Sequence, residues 1–251
     1  MVAVSVLPQA YFVDRLTGGA VDVAVMVPPG AGPHTHEPTM GQMRDISKAV
    51  LYVAVGHPAF PFEAVWMDRL VEQNPRMRVV DSSEGLEPVA SDPHMWVSPR
   101  SAAVLARNLA AALAEVLPEF AERVAANHEA LEREIEILDA ELGERFAPYR
   151  GRTFLVFHPA WGYLARDYGL IQLAIERDGK EPSPADLARV TRVAGERGIR
   201  VIFTQPQFTE SGARTVARAL DARLVPIDPL ALDWDGNLRR VSEVLVESFA
   251  P

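Results

Sequence analysis

Short apolar runs alternate with amphipathic stretches along the whole chain. In the first half, Val2 to Leu7, Val21 to Val27, Val50 to Val55 and Arg78 to Asp81 are short runs carrying β-branched residues, and each predicts a strand. Helical spacing fills the intervals. Gln9 to Leu16 stops at Gly18-Gly19. Thr39, with Gln42 three residues on, forms a capping box that opens a helix to about Lys48. Phe60 to Asn74 follows. Ser98-Pro99, a cap with proline at the first helical position, opens a helix to about Val116. The loop PPGAGPHTHEP holds too much Pro and Gly for regular structure, and SSEGLEPVASDPHMW reads as a second loop.

The longest periodic stretch comes next, from about Pro118 to Ala147. Phe120, Val124, His128, Leu131, Ile135, Leu138, Leu142 and Phe146 recur every three or four residues, and Glu and Arg fill the rest. A helix of this length would run roughly 45 Å at ~1.5 Å per residue, more than one small lobe needs. It reads as a strut. Beyond it the alternation returns. Strands are expected at Thr153 to Phe157, Leu170 to Ile175, Val201 to Thr204 and Arg223 to Ile227. Helices are expected at Ala160 to Tyr168, Ser183-Pro184 to Arg197, Ser211 to Leu220 and Asn237 to Phe249.

Strands alternating with helices imply parallel sheets covered on both faces. The predicted fold is therefore α/β: two (βα)4-type lobes, residues 1–117 and 148–251, joined by one long rigid helix over 118–147. The halves share architecture without a residue-level repeat.

Composition narrows the function. Of 251 residues, 48% are hydrophobic and 24% charged, which describes a globular protein with a sizeable core. The net charge of −9 argues against nucleic acid and anionic membranes as partners. Absence of cysteine excludes disulfides and thiolate metal sites. No apolar run is long enough to span a bilayer, and the start, MVAVSVLPQAYF, lacks the basic and apolar regions of a signal peptide. Either the protein is cytosolic or an export signal has been removed.

Ligands of open parallel sheets bind beyond the carboxyl ends of the strands. His34 lies in the loop after the second predicted strand, and His94 ends the loop after the fourth. His158 and Asp228 directly follow strands in the second half. If the lobes face each other across a cleft, these four side chains can converge. Three imidazoles and a carboxylate suit zinc, and also manganese or iron. A lone histidine after a strand is usually a loop residue or hydrogen-bonded structure; the shared strand-end placement is what suggests a joint site.

The segments PPGAGPHTHEPT, SDPHMWVSP, FLVFHPAWGYLARDYGL, QPQFTESGARTVA and PIDPLA, in this order, resemble the motif series of the zinc/manganese class of periplasmic solute-binding proteins of ABC importers. The resemblance covers nearly the whole chain. It implies His34, His94, His158 and Asp228 as metal ligands, with the ion in the cleft between two lobes. It implies a monomer that delivers Zn²⁺, or Mn²⁺ as the alternative cargo, to a membrane permease. It also implies a periplasmic or extracellular location, with the export signal taken as removed. Manganese-selective members tend to carry glutamate where His158 stands, so zinc is favoured. The long His-rich loop of many zinc importers is missing.

Two departures occur in the first motif: His36 replaces the usual Tyr, and Met40 the usual Pro. His36 is expected to take the aromatic position and make a hydrogen bond, with replacement of His34 as ligand, or a second ion, as the alternatives. His57 reads as a structural turn residue, His128 as packing on the strut or a partly exposed interlobe contact, and Trp96 and Trp161 as packing or shielding. Asp92 could orient an imidazole or cap the turn before Pro93. Two rivals to the carrier remain: a zinc hydrolase, which would need Asp228 away from the metal and lacks an HExxH motif, and a metal-free carrier of an organic solute.

Overall fold

In the computed structural model, residues 1–176, 179–180, 182–209 and 211–249 are described. Glu210, inside the QPQFTESGARTVA segment, lies outside them. The chain forms two compact units: Met1–Asp139 with Leu230–Trp234, and Ala140–Pro229 with Asp235–Pro251.

The first unit holds strands β1 (Val2–Val4), β2 (Val23–Val25), β3 (Leu51–Ala54) and β4 (Arg78–Asp81) in one parallel sheet of order β2-β1-β3-β4. β1 and β3 are central, and every residue of both is buried, whereas β2 and β4 are partly exposed edges. Continuous apolar runs belong at central parallel strands, because helices cover both faces. Those helices are α1 (Leu7–Thr17), α2 (Met40–Ile46), α3 (Pro61–Gln73) and α4 (Pro99–Val116). Thr39 and Gln42 form the expected capping box on α2. β1 stops three residues short of the expected Leu7. The Gln9 side-chain oxygen accepts the Ser5 and Val6 N–H groups at 2.9 and 3.1 Å, with the Ser5 N–H shared with the Val53 carbonyl at 3.3 Å, and α1 opens at Leu7.

The second unit repeats the plan with β5 (Thr153–Val156), β6 (Ile171–Ala174), β7 (Val201–Thr204) and β8 (Arg223–Pro226), in parallel order β6-β5-β7-β8. Its helices are α6 (Gly162–Tyr168), α7 (Pro184–Glu196), α8 (Ser211–Leu220) and α9 (Trp234–Phe249). One buried cluster joins Leu155, Ile202, Val190, Val216 and Leu220. α9 starts three residues before the expected Asn237, with Asp235 in its first turn, where a carboxylate complements the exposed N–H groups.

Between the two strand sets runs α5 (Ala121–Phe146), flanked by single 3-10 turns at Pro118–Phe120 and Ala147–Tyr149. At ~1.5 Å per residue it is about 39 Å long. Val124, Leu131, Ile135, Leu138, Leu142 and Phe146 are buried, so the periodic stripe is the packed face. His128, on the same stripe, is only partly buried. Among the described residues no single helix is long and apolar enough to cross a membrane.

Candidate metal centre

In a sheet of order 2-1-3-4 the chain leaves the first and third strands in opposite directions, and the crevice between them is the usual ligand position. In the first unit this crevice is filled by protein. The Glu63 carboxylate accepts the Val55 and Gly56 N–H groups at 2.6 and 3.0 Å and also binds the Ser5 hydroxyl, which lies 2.7 Å from the Tyr52 hydroxyl. Burial raises the Glu63 carboxyl above the usual carboxylate range, against the lowering effect of those donors.

The proposed ligands of this unit come instead from the loops after β2 and β4. His34 is exposed in the first of them. Gln42 fastens the base of that loop: its amide donates to the Val25 and Met26 carbonyls at 2.9 and 2.8 Å, and its oxygen accepts the Thr39 N–H at 2.9 Å. The same oxygen lies 3.3 Å from His36 Nε2, and the His36 ring stacks on Phe62 with centroids 6.2 Å apart. His36 thus takes an aromatic position and makes a hydrogen bond.

His94, 7% exposed, ends the loop after β4. Asp92 Oδ1 accepts both the His94 backbone N–H at 2.9 Å and Nδ1–H at 2.7 Å. Both expected roles of Asp92 are seen: the same oxygen orients the imidazole and, by accepting the His94 N–H, caps the turn around Pro93. A proton on Nδ1 places the ring's lone pair on Nε2. Trp96 packs edge-on against His94 at 5.5 Å and is itself buried. The Trp234 indole donates to the Trp96 carbonyl at 2.6 Å and packs on Phe12 at 5.0 Å, so Trp96 is held as part of the core.

In the second unit His158 follows β5, one residue past Phe157, and sits at the crevice itself. Gln205, directly after β7, clamps its backbone: the Gln205 amide donates to the His158 carbonyl at 2.8 Å, and its oxygen accepts the His158 N–H at 3.2 Å. His158 Nδ1 donates to Glu176 Oε2, and the ring stacks on Phe208 at 4.4 Å. Glu176 is 3% exposed, and its other oxygen has no hydrogen-bond partner among the described residues. Asp228 follows β8. Its Oδ1 accepts from the Gln207 amide at 2.8 Å, and its carbonyl from Asn237 at 2.7 Å. Trp161 is fully buried packing.

His34 and His94 thus belong to the first unit, and His158 and Asp228 to the second. Within either unit, among the described residues, no three His, Asp or Glu side chains gather around one ion position. Sequence reasoning missed Glu176, Gln205, Gln207 and Gln42. Glu176 and Gln205 follow strands just as the histidines and Asp228 do, and the strand-end rule reaches them equally. Gln42 shows only its capping role in the sequence.

Two parallel α/β units of one strand order are linked along the chain by one long helix. The family model for the zinc-uptake complex component A, periplasmic, ZnuA, matches residues 2–247. A crystal structure of ZnuA superposes with a TM-score of 0.94 at 36% identity, covering 99% of this chain and 98% of that one. A ZnuA deletion mutant with zinc bound superposes at 0.93, also with 36% identity, covering 100% and 98%. The high-affinity zinc uptake system protein ZnuA of Bacillus subtilis is 25% identical over 242 residues, 89% of this chain and 76% of that protein. The chain belongs to the ZnuA family, substrate-binding proteins of ABC importers for zinc and related metals.

Proposed function

We propose that this protein captures Zn²⁺ as cargo through His34, His94, His158 and Asp228, and presents it to the permease of an ABC importer on the periplasmic or extracellular side of a membrane. One observation carries the ligand assignment. Two of the three histidines have Nδ1 held by a low-exposure carboxylate, Asp92 for His94 and Glu176 for His158. Ligating histidines need such a partner, because it fixes the tautomer, aims the Nε2 lone pair and raises ligand basicity. Imidazole suits zinc, while manganese prefers harder oxygen ligands, so Mn²⁺ is the weaker cargo in this reading. With Asp228 as fourth ligand a tetrahedral zinc has no position for a catalytic water, which sets the reading apart from a hydrolase.

The test is metal analysis and competitive chelator titration of the whole protein beside His158→Ala and Asp228→Ala. Each variant should retain far less zinc than the parent, and Mn²⁺ should compete poorly with Zn²⁺. Equal zinc content in parent and His158→Ala would overturn the assignment.

A further inference from the structure

One turn in the second unit touches both of the ligands proposed there. Gln205 to Phe208 leave the end of β7, and the Phe208 N–H closes the turn on the Gln205 carbonyl at 3.2 Å. Gln205 clamps the His158 backbone, and Phe208 stacks on the His158 ring. Between them Gln207 reaches the end of β8: its Nε2 donates to Asp228 Oδ1 at 2.8 Å. The Asp228 carbonyl has a separate anchor in the Asn237 amide.

The far side of the Gln207 amide carries a penalty. Its Oε1 is buried and has no hydrogen-bond partner among the described residues. A buried acceptor left unsatisfied costs about 1–3 kcal/mol. Turning the amide over would be worse, because its oxygen would then face a carboxylate that can only accept. An apolar side chain of the same length would fill the space without this penalty. What the amide adds is its donor on Asp228, and a hydrogen bond to a charged group contributes about 1.5–3 kcal/mol. That bond restrains the rotation of the carboxylate and engages one of its two oxygens.

The number of oxygens a carboxylate offers decides which ion it suits. Zinc takes about four ligands in a tetrahedron, whereas manganese suits an octahedral, oxygen-rich shell. Beside three imidazoles, one carboxylate oxygen completes a tetrahedron. A carboxylate turned to give both oxygens makes the shell larger and richer in oxygen. We infer that Gln207 is a positioning residue that sets cargo preference: by holding Oδ1 it presents Asp228 to the ion through the other oxygen and keeps the centre four-coordinate. The inference rests on Asp228 being a ligand, as proposed above.

The experiment uses the whole protein as parent, Gln207→Met, Asp228→Ala and Gln207→Met/Asp228→Ala. Methionine keeps the length of the side chain and removes the donor. Readouts are Zn²⁺ and Mn²⁺ affinities by chelator competition, the visible spectrum of bound Co²⁺, and metal-free thermal unfolding. Tetrahedral Co²⁺ absorbs far more strongly than Co²⁺ in larger shells, so its intensity reports the coordination number. Gln207→Met should weaken zinc about 10-fold, leave Mn²⁺ equal or tighter, and lower the Co²⁺ absorbance. Metal-free Tm should not fall, because the unsatisfied oxygen leaves with the donor. In the Asp228→Ala background the same substitution should change zinc affinity by less than about twofold, since Gln207 acts through Asp228. Parent-like metal preference and Co²⁺ spectrum in Gln207→Met, with zinc weakened in Asp228→Ala, would overturn the inference and leave the ligand reading standing. An equal loss from Gln207→Met with and without Asp228 would also overturn it, because the effect would not pass through that carboxylate. Parent-like zinc binding in Asp228→Ala would instead overturn the reading beneath it.

Discussion

Glu176 contributes more to the candidate centre than its place in the sequence suggests. Its carboxylate is nearly inaccessible, one oxygen accepts from His158 Nδ1, and the other has no hydrogen-bond partner among the described residues. Glu176→Gln keeps the size but gives up the charge that would make His158, as a proposed ligand, more basic. Zinc affinity should fall about 10–100-fold, with metal-free thermal unfolding little changed. An unchanged affinity in a chelator competition would remove Glu176 from the site. Gly56 makes a sharper prediction about stability. Its φ is +79°, and a Cβ there would lie 1.7 Å from Asp81 Oδ1. Asp81 cannot swing aside freely, because the same oxygen accepts the Ser83 N–H at 2.8 Å and the Ser83 hydroxyl at 2.7 Å. Gly56→Ala should therefore cost about 2 kcal/mol or more, read as a lower urea midpoint at unchanged slope. The sequence marked His34, His94, His158 and Asp228 because histidine and aspartate after strands are conspicuous. It was silent on their supports, since glutamine and glutamate are common in loops and their partners lie 18 to 47 residues away.

Strands and helices were legible because each obeys a local rule. The central strands β1, β3, β5 and β7 are apolar throughout or nearly so, and the α5 stripe keeps its three-and-four spacing over 26 residues. Ends were less legible, for reasons that are tertiary. β1 ends early where Gln9, four residues beyond Ser5, accepts the Val6 N–H and shares the Ser5 N–H with Val53. The sequence likewise showed Glu63 only as an acidic residue in the first turn of α3. In the fold it is the acceptor that ties α3 to the ends of β1 and β3, and burial raises its pKa. The sign of its pH effect follows. A carboxyl whose native pKa is raised binds its proton more tightly folded than unfolded. Its contribution to stability is present below the unfolded value of about 4.3 and is lost as pH rises through the native one. Relative to Glu63→Gln, which cannot ionise, the parent should therefore lose stability as pH rises across that window. Urea unfolding of both proteins at a series of pH values measures the difference, and a difference independent of pH would show that Glu63 ionises normally.

For the whole molecule, cargo and stability are linked. A ligand that binds only the folded chain stabilises it by an amount that grows with the logarithm of its excess over Kd, about 4 kcal/mol at a thousandfold excess. For a chain of this size each kcal/mol moves Tm by roughly 2–4 °C, so saturating zinc should raise Tm by roughly 8–16 °C over protein stripped by a chelator. The size of that rise should itself depend on pH. Three of the four proposed ligands are imidazoles, and an imidazole must be neutral to offer its lone pair, so protons compete with zinc across the range around 6.5. Scans with zinc and with chelator at pH 7.5 and pH 5.5 should show the zinc-dependent increment shrinking sharply at the lower pH. His94→Ala and His158→Ala should show little increment at either. A carboxylate-dominated site would keep most of its increment at pH 5.5, because its ligands stay ionised there. A pH-independent increment would thus exclude imidazole ligation, even for a chain whose family is that of zinc uptake.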